Sequence, residues 1–126
     1  MARKRGKKVK AVKQPAMRVT RQRREVLVQL ADALAELAPA TTLGKGFCVR
    51  KVAYEHGLKK CWKAGGNKRQ MIARFLEETF RQYPRKPKAV VMAIVRGGLD
   101  WRARKGMATT SEDLEKVAGP MEVLGF

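Results

Sequence analysis

The sequence predicts an all-α protein: a compact bundle of about five helices with a flexible basic arm at its N-terminus. Three observations carry that expectation. Apolar residues recur at three- and four-residue spacing in successive segments, strand-type alternation is nearly absent, and residues 1–17 show no periodicity. The 126 residues suit one domain, so the arm is assigned to 1–17 and a single helical domain to 18–126. A hydrophobic share of 44% separates the chain from a disordered polycation. Aromatic residues make up only 6%, so the core must be built from Leu, Val, Ala, Met and Ile.

The arm carries Arg3, Lys4, Arg5, Lys7, Lys8, Lys10 and Lys13 with no acid among them. Like charges at this density repel one another and keep a segment open. "RVTRQRREVLVQLADALAELAP" follows as the clearest helix, with Val26, Leu27, Leu30, Ala33, Leu34 and Leu37 in register and Pro39 as its stop. Arg18, Arg21, Arg23 and Arg24 crowd its start, where the helix dipole is already positive. That arrangement calls for an anion.

"TTLGKG" reads as a loop. "FCVRKVAYEHGLKKCW" places Phe47, Val49, Val52 and Ala53 on one side, and Gly57 is a left-handed stop. "KAGGN" breaks the chain again. Asn67 and Gln70 have the spacing of a capping box and open a helix whose stripe is Ile72, Phe75, Leu76, Thr79, Phe80 and Tyr83, ended by Pro84. The apolar run Ala89–Val95 fits a buried strand or a helix; Pro87 in a first turn and the continuation to Leu99 and Trp101 favour helix. Gly97-Gly98 marks a weak point or a close crossing. The last segment begins with hydroxyl caps and acids, turns Leu114, Val117, Met121 and Leu124 inward, and is expected to bend at Gly119-Pro120.

The net charge is +18 and the pI about 10.7. Positive charge is concentrated in residues 1–24 (+11), 45–74 (+8) and 81–105 (+7), whereas 25–44 and 107–126 are each −3. A chain so basic meets a polyanion or carries its charge on a free segment. No run approaches the ~18 apolar residues of a membrane span. The basic N-terminus lacks a signal peptide's apolar stretch, and Cys48 and Cys61 make no disulfide framework. An intracellular protein is expected, cytoplasmic or nucleoid-associated.

"VRKVAYEHGL" resembles the first helix and turn of a helix-turn-helix unit, through Val52, Ala53, Gly57 and Leu58. The resemblance implies a second helix that reads a major groove. It covers about ten residues, and the second helix would be "KKCWKAGGN", broken by Gly65-Gly66. Two core helices joined by a glycine turn are the competing expectation. Arg50 and His56, with five residues between them, are similar to the Arg-x(4–6)-His signature of the HEPN ribonucleases, small helical proteins that are usually dimeric. That resemblance implies phosphate held by Arg50 and a proton moved by His56. Lys51 departs from the polar residue such motifs prefer, and a surface or half-buried histidine is the competing expectation. Cys48, His56 and Cys61 match no zinc spacing and lack a fourth ligand, so no metal and no cofactor are expected. "GKG" and "AGGNK" follow no strand and match no phosphate loop.

The phosphate contacts are assigned to the arm, to Arg18, Arg21, Arg23 and Arg24, and to three internal groups. Lys59, Lys60, Lys63, Lys68 and Arg69 surround Trp62 and flank a helix start. Arg85, Lys86 and Lys88 flank another; Arg102, Arg104 and Lys105 follow Trp101. Core burial is expected of both tryptophans; exposed, either would stack on an unpaired base. The sequence therefore predicts a non-catalytic nucleic-acid-binding protein, with DNA slightly favoured over RNA. One alternative is a small helical adaptor in a nucleoprotein complex, its acidic C-terminal helix docking a protein partner. Ribonuclease activity is a further alternative. A membrane partner is not expected, since no basic amphipathic helix with a large apolar face or lipidation signal is present.

Overall fold

The computed structural model describes residues 19–42 and 46–126; the arm over 1–17 and Arg18 lie outside the described residues. The domain is all-helical. Its helices are α1 (Arg21–Leu37), α2 (Val49–Glu55), α3 (Lys68–Gln82), α4 (Pro87–Arg104) and α5 (Ser111–Leu124), with a 3-10 turn at Lys59–Cys61. Among the described residues there is no strand. The stretch 89–95 is thus helical: Pro87 occupies the first turn of α4, where its missing N–H costs nothing.

Helix α1 is the spine. Leu27, Leu30, Leu34 and Leu37 are buried together with Ala31, Ala33 and Ala35, so the buried face is wider than a single stripe. Helices α3, α4 and α5 all pack on it. The pairing of Arg24 with Glu77 and of Asp32 with Arg69 makes α3 antiparallel to α1. Along the other flank, Val26 lies beside Val123 and Leu124, while Ala33 and Glu36 lie beside Lys116 and Pro120. Helix α5 is therefore antiparallel to α1 too. The remaining core comes from Ile72, Phe75, Leu76 and Phe80 of α3 and Val90, Val91 and Ile94 of α4.

The connections satisfy the helix ends. Val49 and Arg50 donate their N–H groups to the carbonyls of Pro39 and Ala40, at 2.9 and 3.0 Å, so α2 needs no side-chain cap. Gly57 ends α2 with φ +73°; its N–H bonds Tyr54 O at 3.1 Å while the Leu58 N–H reaches Ala53 O at 2.8 Å. This is a Schellman closure, and buried Leu58 anchors it. Asn67 and Gln70 form the expected reciprocal cap of α3, at 2.9 and 3.0 Å.

Two expectations for α5 change. The helix runs unbroken through Gly119-Pro120, giving up only the N–H that Pro120 lacks. Of the residues expected to face inward, Val117 is buried and Met121 and Leu124 pack partly on the core, but Leu114 is exposed. With α1 as its main partner, α5 has little apolar surface to bury against.

Gly97-Gly98 is a close crossing. A methyl group on Gly98 would stand 2.7 Å from the Leu37 carbonyl oxygen, and one on Gly97 would meet the Phe47 ring. A ring can turn aside; a helix backbone cannot without repacking. Gly98→Ala should therefore cost about 1–3 kcal/mol in urea unfolding, and more than Gly97→Ala.

Acid should weaken the fold in a defined window. The Thr110 N–H bonds the Asp113 carboxylate at 3.0 Å and holds its pKa below the ordinary value. The Arg81 guanidinium, then the Gln82 amide, do the same for Glu78. Each group contributes stability that is complete above its unfolded-state pKa, about 4, and lost as the pH falls through the lower folded value. Urea midpoints should stay level from pH 7 to about 5 and then fall. Combining Glu78→Gln with Asp113→Asn should make that fall shallower.

Candidate nucleic-acid interface

The internal basic residues do not form one surface. The tertiary fold sorts them by what each cation touches. Arg24 grips Glu77 of α3 with two bonds, at 3.0 and 3.1 Å. Arg21 pairs with Glu25, and Arg23 lies over the Phe80 ring, 5.6 Å from its centroid. The anion that the start of α1 calls for is supplied from inside the protein. Arg69 reaches both the carboxylate and the carbonyl of Asp32, and Arg104 pairs with Asp100.

Arg102 is a clasp. Its guanidinium donates to Glu36 O at 2.8 Å, Ala108 O at 2.6 Å and Thr109 Oγ1 at 3.0 Å. It thereby ties the end of α1 to the α4–α5 loop. Arg74, absent from the sequence assignment, holds the carbonyls of Lys63 and Gly65 and so fixes the loop leading into α3.

The residues Lys59, Lys60, Lys63, Lys68 and Arg69, adjacent in sequence, separate in space. Lys68 and Arg69 start α3, beside the middle of α1. The turn with Lys59, Lys60 and Lys63 packs near the other end of α3, where Cys61 lies by Thr79 and feels the charges of Arg81 and Lys63. There it meets the start of α4. The Lys86 ammonium donates to His56 O at 3.1 Å and sits 5.6 Å from the Tyr83 ring centroid. Lys59 takes the same position over Tyr54, at 5.7 Å. Arg85 and Lys88 are exposed alongside, and no side chain caps α4. Lys60, Arg85 and Lys88 have no acidic partner in contact among the described residues.

This corner lies at the end of the bundle where the chain enters. Arg23 and Arg24 of α1 reach Phe80 and Glu77, one to two turns before Tyr83. The basic arm therefore joins the described residues at Val19 on the same end as the corner. Lys105 and Arg104 are at the opposite end of α4, about 25 Å away along the helix axis.

The two motif resemblances meet different surroundings. The segment after Gly57 is one 3-10 turn of three residues followed by irregular chain with two positive-φ glycines, so the expected recognition helix is absent. Arg50 and His56 sit six positions apart on and just beyond one short helix, about 240° around its axis, and do not converge. Arg50 donates to Thr42 O at 3.4 Å and His56 is half-buried.

Cys48 and Cys61 are buried free thiols, and burial pushes Cys61 up. The neighbouring Thr79 hydroxyl makes no hydrogen bond of good geometry.

Trp62 is 8% exposed and packs on Phe75 at 5.7 Å, with no partner for its indole N–H. It is unavailable for stacking, and Trp101 is half-buried. The exposed aromatic is Tyr54, at 47%. The signal for it was present in "VAYEHGLKK", an aromatic three residues before a glycine turn that leads into a lysine pair. No family model, curated protein or solved structure matches the chain.

If Arg102 serves the fold, Arg102→Ala should cost about 2 kcal/mol in urea unfolding. Arg102→Lys should recover only part of it, since one ammonium cannot span three fixed acceptors.

Proposed function

We propose that this chain is a non-catalytic nucleic-acid-binding protein that holds phosphates with its basic arm and with the corner around Lys59, Lys60, Arg85, Lys86 and Lys88. The observation that carries the reading is the charge: +18 in 126 residues, with an acid-free arm joined to the bundle end that bears partnerless cations. Solubility alone requires far less. Internal ion pairs engage Arg21, Arg24, Arg69 and Arg104, whereas the lysines of the corner have no carboxylate in contact among the described residues.

Affinity in this reading comes mainly from counterion release, so it is steep in salt and shallow in sequence. DNA is favoured slightly over RNA, as the sequence suggested. Arg50 and His56 take no part in a reaction. No helix among the described residues is long and apolar enough to cross a membrane.

Fluorescence anisotropy with duplex DNA between about 50 and 300 mM salt tests this. Engagement of about 8 phosphates gives a log–log slope of roughly −7. Changing Lys7, Lys8, Lys10 and Lys13 to Gln should make that slope shallower by about 3–4. Absence of binding at the lowest salt defeats the reading.

A further inference from the structure

We infer that the corner around Tyr54 binds unpaired nucleotides, stacking a base on the Tyr54 ring and holding the flanking phosphates with Lys59, Lys60 and Lys88. The inference rests on the nucleic-acid reading above and names the form of nucleic acid this corner takes.

Tyr54 is the one exposed aromatic side chain among the described residues; the others are buried or half-buried. A tyrosine placed for packing would bury its ring, as Tyr83 partly does. The Lys59 ammonium stands 5.7 Å from the Tyr54 centroid. A base on the ring would bring its phosphate within reach of that charge, and stacking plus a cation is the usual chemistry of single-strand binding.

Shape points the same way. Duplex recognition in a groove needs a projecting helix or ribbon. Here the exposed elements are the seven-residue α2, a three-residue 3-10 turn and a helix start. A duplex could offer these elements its phosphates only, because its bases are stacked on each other. An unpaired stretch offers phosphates and base faces together.

The corner is also held in place before any ligand arrives. Lys86 joins the His56 carbonyl to the Tyr83 ring, fixing the turn that follows α2 against the start of α4. Gly57 turns the chain at that joint, at a φ of +73° that favours glycine. Arg74 fixes the far side of the same loop. The cations and the ring are thus presented at set separations, which lowers the ordering cost of binding.

The test uses the full-length protein and its Tyr54→Ala and Tyr54→Phe variants. Anisotropy is read on a single-stranded oligonucleotide and on the same sequence as a duplex, at one salt concentration. Tyr54→Ala should weaken single-strand binding about tenfold and leave duplex binding within about twofold; Tyr54→Phe, which keeps the ring, should behave as wild type. A cooperative thermal unfolding transition at the wild-type midpoint shows that the Ala variant is folded. An unchanged single-strand affinity in Tyr54→Ala overturns the inference, as does an equal loss on both probes by a variant whose thermal unfolding is normal. Both outcomes leave the nucleic-acid reading standing. Failure of the wild-type protein to bind either probe overturns that reading and this inference with it.

Discussion

The fold depends on α1 being buried on most of its circumference. A helix with three helical neighbours must offer close approach on several sides, and small side chains provide it: Ala31, Ala33 and Ala35 on α1 itself, Gly98 where α4 crosses. The four buried leucines then fill the space between α1 and its neighbours. Because α3 and α5 both run antiparallel to α1, they lie parallel to each other on its two flanks. The start of α1 and the ends of α3 and α5 thereby come to one end of the bundle, where Phe126 packs edge-on to Phe80.

That geometry decides what the positive charges do. Most fixed polar tasks fall to arginine: Arg24 on a carboxylate, Arg74 and Arg102 on backbone carbonyls, Arg81 on Glu78; Lys51 and Lys86 each hold one backbone carbonyl. A planar fork can meet several acceptors at once, which an ammonium cannot. The side chains left without acidic partners at the corner are mostly lysines, compact and strongly hydrated charges.

The joint between the α2 turn and the start of α4 gives the proposed site its form. The Schellman closure at Gly57 turns the chain sharply, and the carbonyl of His56 is left facing Lys86. Two Tyr–Lys pairs then stand beside each other on a surface to which the arm is attached nearby. In the proposed reading, long-range attraction by the arm would capture a strand and short-range stacking at the corner would seat it.

Much of the fold was legible in the sequence because it rests on local rules. Helical spacing placed the stripes of α1 and α3, Asn67 and Gln70 announced their cap, Gly57 its turn, and Pro87 the start of α4. The proposed class of partner rests on net charge, which needs no coordinates. The site was legible only in part. Nothing local shows that Lys59 and Lys86 share a corner while Lys68, nearer to Lys59 in sequence, sits toward the far end of α3. Nor does sequence show that Arg102 is spent on three acceptors or that Tyr54 is open. Sequence determined which residues are charged and which segments coil. Which charges are already neutralised, and which ring remains exposed, were decided by the packing of α1 against its neighbours, because burial and pairing depend on residues distant in the chain.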